Sequence, residues 1–266
     1  MAADHELEVR PASTEIAALP RPALTWKRPD GQLFAQSGRS GTDLVVCFPG
    51  RAAVRRSQDT VIEIAAGTSE ADAIILYRRF ALPLLMQADG FEMLHASASL
   101  TPTGVVLLAG DSGAGKSTTA YALAARLGWS QWADDTVVFG TDDGVYSRRL
   151  PFQPRLFRET AEALGYHGQP LTEPQRERAP LSAVFFLEPA APSEPAGIEV
   201  LGPATTLERL LAQAYAFELD DPARKATMFQ NYADMAQIIA GYRLRYVADM
   251  SAIDGCLELI AATVRR

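Results

Sequence analysis

The stretch "GVVLLAGDSGAGKSTTAYALAARLG", residues 104–128, decides the fold. Its first seven residues form an apolar run of the kind that makes a buried β-strand. A glycine-rich turn follows, and strong helix formers then lead to Gly128, a residue suited to the position just past a helix end. Strand, glycine-rich turn and helix in this order predict an α/β protein whose turn binds phosphate.

The turn itself, "GDSGAGKS" at 110–117, fits the phosphate-loop pattern G-x-x-x-x-G-K-[ST]. Its glycines allow close backbone approach, so that successive N–H groups can point at phosphate oxygens. Lys116 supplies charge for the β- and γ-phosphates, and Ser117 offers a hydroxyl to Mg²⁺. The alternative, a plain turn with an incidental Lys-Ser pair, is rare by chance. The sequence therefore predicts a site for ATP and Mg²⁺ whose nucleotide contacts are Gly110, Asp111, Ser112, Gly113, Ala114, Gly115, Lys116, Ser117 and Thr118.

Two adjacent acids, Asp134 and Asp135, follow after only one helix and the short strand "WSQWA". Successive strand residues point in opposite directions, so one carboxylate can face the metal while the other contacts a neighbouring group. The carboxyl end of a strand beside the phosphate loop is where ligands bind in open α/β sheets. A solvated turn is the alternative, but "TVVF" continues directly as strand.

Two further side chains are candidates for the functional site because of their position and chemistry. His95 precedes the loop and is one of three histidines, with His5 and His167. A structural hydrogen-bond role and a functional role both stay open for it from the residues alone. Arg155 is the best candidate for contacting the transferred phosphate, because arginine suits the charge of that group. A solvated basic hairpin is the alternative for this arginine-rich segment, "RRLPFQPRLFR".

Residues 93–139 contain the set "LHASA…GDSGAGKST…ADD". This set resembles the HPr kinase/phosphorylase family of serine kinases, whose core is shared with phosphoenolpyruvate carboxykinase. In that family the first aspartate of the pair is the base for a seryl hydroxyl and the second helps to hold the metal. By resemblance, Asp134, His95 and Lys116 are catalytic, and Asp135 joins Ser117 at Mg²⁺. The resemblance implies an α/β fold with a mixed sheet and flanking helices, a small strand-rich N-terminal part and a helical C-terminal part.

The chain differs from bifunctional members of the family after the aspartate pair. It has "YSRRLPFQPRLFRET" where they carry a glycine-rich signature, which argues against phosphorylase activity and against HPr as substrate. The N-terminal block resembles divergent members encoded with peptide-tailoring enzymes, some of which look like lasso-peptide kinases. The resemblance implies an ATP-dependent kinase for a serine hydroxyl on a peptide or protein, with a lasso-type precursor favoured. The alternatives are an HPr-type protein kinase, a free-serine or sugar kinase, and a nucleotide-binding regulatory subunit.

Composition narrows the range of partners. The formal net charge of −7 argues against broad nucleic-acid affinity, and no apolar run is long enough to span a bilayer. Two separated cysteines and an N-terminus without an apolar signal core favour a cytoplasmic protein. HPr kinases are hexamers, so the resemblance leaves a homo-oligomer open without identifying an interface.

Two parts are expected along the chain, a small strand-rich region with a helix at 1–92 and the kinase domain at 93–266. Residues 1–40 contain several prolines and are expected to be loosely structured. A helix is predicted from 74 to 86, with Pro83 ending or kinking it. In the second part, "TTLERLLAQAYAFEL" at 205–219 is expected to be helical, and the polar loop 165–180 is a candidate lid over the acceptor.

Overall fold

The structure is a computed structural model that describes residues 7–152, 158–165, 176–190, 196–215, 221–247 and 249–265. The chain divides into two compact units, Met1–Gly90 and Phe91–Arg266. In the part of the chain that is described, no helix is long and apolar enough to cross a membrane.

The first unit is a six-stranded sheet in the spatial order β1-β6-β5-β4-β3-β2. Strand β1 runs parallel to β6, and the other neighbours are antiparallel. Glycines with positive φ, Gly41 and Gly50, lie in the two connections that flank β4. The strands are β1 (Leu7–Pro11), β2 (Leu24–Lys27), β3 (Leu33–Ser40), β4 (Asp43–Phe48), β5 (Ala52–Arg56) and β6 (Thr60–Ile64).

The expectation of loose structure before residue 40 is wrong, because β1, β2 and β3 all lie there. Strands β1 and β2 form the two edges of the sheet, and their residues are exposed or only partly buried. Edge strands of this kind are held by backbone hydrogen bonds to a neighbour, which leave no apolar pattern in the sequence.

A continuous helical segment follows the sheet. It consists of α1 (Glu70–Leu76), a π-helical turn (Tyr77–Ala81) and α2 (Leu82–Ala88). Ser69 caps the start, since its side chain accepts from the backbone N–H of Asp72. Pro83 does not end the helix. The π turn ends at Ala81, so Pro83 lies in the first turn of α2, where a missing N–H is tolerated.

The second unit contains two sheets that share one long strand. The central sheet has the order β10-β8-β9-β13-β16-β14, with β9, β13 and β16 parallel. The other sheet, β13-β12-β11-β7-β15, is antiparallel throughout. The strands are β7 (Glu92–Leu94), β8 (Ala96–Thr101), β9 (Gly104–Ala109), β10 (Ser130–Ala133), β11 (Val137–Gly140), β12 (Tyr146–Arg148), β13 (Arg178–Ala190), β14 (Gly197–Leu201), β15 (Ala214–Tyr215) and β16 (Ala240–Val247).

Helices cover both faces of the central sheet. They are α3 (Lys116–Leu127), α4 (Arg158–Ala163), α5 (Pro203–Ala212), α6 (Pro222–Ile238) and α7 (Ile253–Val264), the last preceded by a 3₁₀ turn at Met250–Ala252. On β9, Val105 and Leu107 pack in the cluster that includes residues of α5 and α6, whereas Val106 and Leu108 pack with α3 and α7. Burial on both faces explains the continuous apolar run of this strand. The predicted α/β class is confirmed.

The helix predicted over 205–219 is shorter than expected. It ends at Ala212, and Ala214–Tyr215 forms β15 against β7. The N–H of Gln213 bonds to the carbonyl of Leu210, which tightens the last turn, and the carbonyl of Gln213 accepts from the N–H of His95 at 2.7 Å. This pairing with a distant strand overrides a helical pattern that continues in the local sequence.

Candidate functional site

The predicted nucleotide contacts lie together on the loop after β9 and on the first turn of α3. Gly110, Gly113 and Gly115 have φ values of 142°, 86° and 75°, a region that residues with side chains rarely adopt. A Cβ at Gly110 would lie 2.8 Å from the carbonyl oxygen of Leu187 on β13. Backbone conformation therefore favours glycine at all three positions, and the close approach of β13 is a second reason at Gly110.

Tyr246, near the end of β16, contacts the same loop. Its hydroxyl donates to the carbonyl oxygen of Ala114 and would lie 3.0 Å from a Cβ at Gly115. Burial raises the pKa of Tyr246 to about 12, so the phenol keeps its proton and stays a donor at neutral pH. The contact joins residues 132 positions apart. No local pattern in the sequence indicates this contact.

Lys116 is folded over the loop. Its ammonium donates to the carbonyl oxygens of Gly110 at 2.8 Å and Asp111 at 3.0 Å. Burial lowers the pKa of Lys116, and the nearby carboxylates of Asp135, Asp111 and Asp134 act in the opposite direction. A phosphate oxygen accepts a stronger, charge-assisted bond than a carbonyl does, so this ammonium can exchange its loop carbonyls for a bound phosphate.

Asp134 lies just after β10 and is the buried member of the acidic pair, 7% exposed. Its Oδ1 accepts from the hydroxyl of Ser117 at 2.6 Å and from that of Ser97 at 2.8 Å. Ser117, expected beside Asp135, is hydrogen-bonded to Asp134 instead. Ser97 was missed; its signal is a polar residue inside the buried strand β8, which pairs with the strand that leads into the loop.

Asp135 has a different environment from its neighbour. Its side chain is 40% exposed, and its φ of 68° makes it the one non-glycine residue of the described chain with positive φ. Its backbone carbonyl oxygen and its Oδ1 lie 3.2 and 3.4 Å from Nδ1 of His95. Strained backbone of this kind concentrates at functional sites.

His95 lies between β7 and β8, with its imidazole beside Asp135. Its Nδ1 also lies 2.9 Å from the hydroxyl of Tyr215, and the two rings meet edge to face with centroids 5.7 Å apart. Tyr215 comes from β15, 120 residues away along the chain. The sequence does not reveal the contact of Tyr215 with His95, because the local pattern of residues 205–219 predicts a helix.

The predicted arginine contact is not located by the structure. Arg155 lies outside the described residues, as does most of the candidate lid at 165–180. Arg243 is ion-paired with Glu199 on the neighbouring strand β14, and its Nε lies 4.0 Å from Glu188. These contacts pair the guanidinium of Arg243 with acids of the two neighbouring strands, β13 and β14.

Metal ligands at the site would be oxygen atoms. Ser117 and Asp134 provide a hydroxyl and a carboxylate in direct contact, the donor types that suit Mg²⁺. Within the described ranges, no three His, Cys, Asp or Glu side chains cluster as a metal site. This donor set fits the usual binding of Mg²⁺, which takes one or two protein ligands and completes its shell with water and substrate phosphates.

Comparisons with known proteins find a similarity only among solved structures. No protein-family model matches the chain, and a search of curated proteins finds no match. Among solved structures, the chain is similar to the HPr(Ser) kinase/phosphatase from Coxiella burnetii, with 11% sequence identity, 64% of this chain and 95% of that chain covered, and a TM-score of 0.32. A similarity this low carries no argument about activity, so the assignment of a function depends on the geometry of the site.

Proposed function

We propose that this protein is a kinase that transfers the γ-phosphate of ATP, with Mg²⁺, to a serine hydroxyl on a peptide or protein. The observation that carries the proposal is the hydrogen bond between Ser117 and Asp134 at 2.6 Å. It joins the hydroxyl that follows the loop lysine to a buried carboxylate. Phosphate-loop enzymes hold Mg²⁺ beside the β- and γ-phosphates with this pair of groups.

The loop would bind the phosphates through its backbone and Lys116. The N–H groups at the start of α3 form a site for anions, strengthened by the helix dipole. The glycines keep this backbone accessible, and Tyr246 supports the loop from β16. Arg155 remains the proposed contact for the transferred phosphate.

We assign Mg²⁺ to Ser117 and Asp134, and the role of base to Asp135. This exchanges the two aspartates relative to the roles implied by the family resemblance. The reason is geometric: Asp134 is buried against Ser117, while the carboxylate of Asp135 is partly exposed beside His95. When bound, Mg²⁺ would neutralise charge on the phosphates.

The transfer step then follows from these positions. The serine oxygen of the acceptor forms a bond to the γ-phosphorus, and the bond from that phosphorus to the β–γ bridging oxygen breaks. The hydroxyl proton passes to the carboxylate of Asp135, and the products are phosphoserine and ADP. Lys116 stabilises the charge that develops on the phosphate oxygens, and His95 holds Asp135 in place.

Nucleotide binding is the first part of the proposal to test. Lys116→Met should weaken the binding of Mg·ATP by about ten- to a hundredfold, since a hydrogen bond to a charged group contributes about 1.5–3 kcal/mol. Isothermal titration calorimetry measures the change. Lys225→Met removes an exposed lysine from α6 and is the matched control, expected to bind as tightly as the parent protein. Equal affinities in all three proteins would exclude Lys116 from the nucleotide site.

Mass spectrometry with a panel of acceptors tests the transfer. The protein is incubated with Mg·ATP and a lasso-type precursor ending in serine, an HPr-like protein, or free serine. We expect phosphate on the precursor, and at least about a hundredfold loss in Asp134→Asn, because the metal loses its protein carboxylate. Asp254→Asn, an exposed position on α7, is the control. Transfer to free serine alone would make this a small-molecule kinase, and ATP binding with no transfer to any acceptor would favour a regulatory nucleotide sensor.

A further inference from the structure

Three oxygen atoms surround one nitrogen of His95. Within 3.4 Å of Nδ1 lie the backbone carbonyl oxygen and Oδ1 of Asp135 and the hydroxyl oxygen of Tyr215. In the part of the chain that the structure describes, these contacts of the imidazole all involve Nδ1. The arrangement fixes the orientation of the ring and restricts which nitrogen carries the proton.

The chemistry of the three oxygen atoms decides the tautomer. A carbonyl and an ionised carboxylate can only accept hydrogen bonds, whereas a phenol can donate or accept. A lone pair on Nδ1 would therefore face two acceptor oxygens of Asp135 without a proton between them. A proton on Nδ1 removes this repulsion, because the single N–H can be shared among the nearby oxygen atoms.

We propose that Tyr215 is a positioning residue that fixes the orientation of the His95 ring, so that its protonated Nδ1 is directed at Asp135. The proposal deepens the proposed function, because Asp135 is the base assigned there. Tyr215 acts from β15, whose pairing with β7 places the phenol against the imidazole. The backbone of His95 is fixed by the same pairing, through its N–H bond to the carbonyl of Gln213 at 2.7 Å.

The hydroxyl and the ring of Tyr215 make separate contributions. The ring packs edge to face on His95, and a phenylalanine keeps this packing. Tyr215→Phe therefore removes the third oxygen at Nδ1 while leaving the apolar contact. Tyr242→Phe is the matched control, because Tyr242 stacks on Phe185 in the core between the central sheet, α3 and α7.

Nuclear magnetic resonance of ¹⁵N-labelled histidine tests the proposal without any assay of activity. The full chain has three histidines, so His95→Gln suffices to assign the signal of His95. Spectra are recorded at about pH 8.5, where an ordinary histidine with a pKa of about 6.5 is neutral. We expect the Nδ1–H form for His95 in the parent protein and in Tyr242→Phe. In Tyr215→Phe we expect the Nδ1–H form to remain, because both oxygen atoms of Asp135 stay in place, but with the Nδ1 signals displaced by the loss of the phenol oxygen.

An Nε2–H signal for His95 in the parent protein, or identical His95 signals in the parent and Tyr215→Phe, would overturn the proposal. Kinetics give a second readout once an acceptor is known. Tyr215→Phe should lower kcat about five- to tenfold with an unchanged KM for ATP, since one hydrogen bond that orients the base is lost. A failed transfer assay with the expected spectra would refute the kinase assignment and leave the role of Tyr215 intact.

Discussion

Single residues at the site take up left-handed backbone conformations in two ways. Gly110, Gly113 and Gly115 do so without a side chain, as the loop requires. Asp135 does so with one, at a φ of 68°. A left-handed conformation costs a residue with a Cβ about 1 kcal/mol relative to glycine. The carboxylate is therefore present at a position where stability alone favours glycine.

Asp135→Gly should raise the free energy of unfolding by about 0.5–1 kcal/mol, because glycine adopts positive φ without strain. The same variant should lose phosphoryl transfer, since it removes the proposed base. Urea unfolding measures the first effect, and the acceptor assay measures the second.

The matched control for the expected increase in the free energy of unfolding is Asp254→Gly in α7. The same substitution in a helix should lower the free energy of unfolding by about 0.5 kcal/mol, as glycine is a poorer helix former than aspartate. A loss of stability of equal size in both variants would contradict the account of strain at Asp135.

The residues of the site divide clearly into those that the sequence could identify and those that it could not. Lys116 and Ser117 belong to a local pattern whose spacing carries the chemistry. Ser97, Tyr215 and Tyr246 act through hydrogen bonds that join residues 37, 120 and 132 positions apart. Such contacts depend on strand pairing, which one sequence does not specify.

Among the secondary-structure elements, α6 is joined to β7 by a buried ion pair. Glu92 is fully buried on β7 and accepts from the guanidinium of Arg224, with one N–O distance of 2.9 Å. Asn231 donates to the same carboxylate at 2.9 Å, and Arg224 also donates to the carbonyl of Phe91 at 3.1 Å. The carboxylate is thus compensated by charge and by hydrogen bonds. Strand β7 leads directly into His95, so this pair also supports the site.

Arg224→Met should lower the free energy of unfolding by about 3–5 kcal/mol, because it leaves a buried carboxylate without its counter-charge. Adding Glu92→Gln to the same chain should recover part of the loss, since no charge then remains buried. Urea unfolding of the single and double variants measures both effects.

Arg126→Met, on the exposed side of α3, is the control and should change the free energy of unfolding by less than about 0.5 kcal/mol. If Arg224→Met behaved like Arg126→Met, the pair would contribute nothing to the attachment of α6.

At the scale of the whole molecule, each compact unit contains one of the two cysteines. Cys47 lies in the first unit and Cys256 in the second, and both are buried. Burial raises the pKa of Cys256 to about 11 and also raises that of Cys47, an effect that Arg55 opposes. The thiolate is the reactive form, so a raised pKa and burial both suppress reaction at neutral pH.

We expect neither cysteine to react with iodoacetamide in the native protein at pH 8, where a pKa of about 11 leaves about one thiol in a thousand ionised. In increasing urea, Cys47 should react before Cys256, because the first unit is smaller and buries a smaller fraction of its surface. Pulse labelling followed by mass spectrometry of the two peptides measures each transition. Labelling of both at one urea concentration would show that the units unfold together.

The sequence predicted the fold class because β9 and α3 carry strong local patterns, but it did not predict the connections between sheets. The apolar run "AVFFL" at 183–187 marks only the middle of β13. The structure extends it over Arg178–Ala190, and its first residues pair with β12 in the other sheet. Those residues alternate between exposed and buried, so no apolar run marks them.

Strand β13 belongs to both sheets of the second unit. The position of a backbone break relative to β13 therefore decides whether two fragments can reassemble. A backbone break within β13 would interrupt both sheets at once and separate the strand from β9, which leads into the glycine-rich loop at 110–117. A break at the turn Asp142–Gly144 would leave β11 and β12 paired to their neighbours on either side. Two fragments made at that turn should therefore reassemble into an active complex, whereas fragments made within β13 should not.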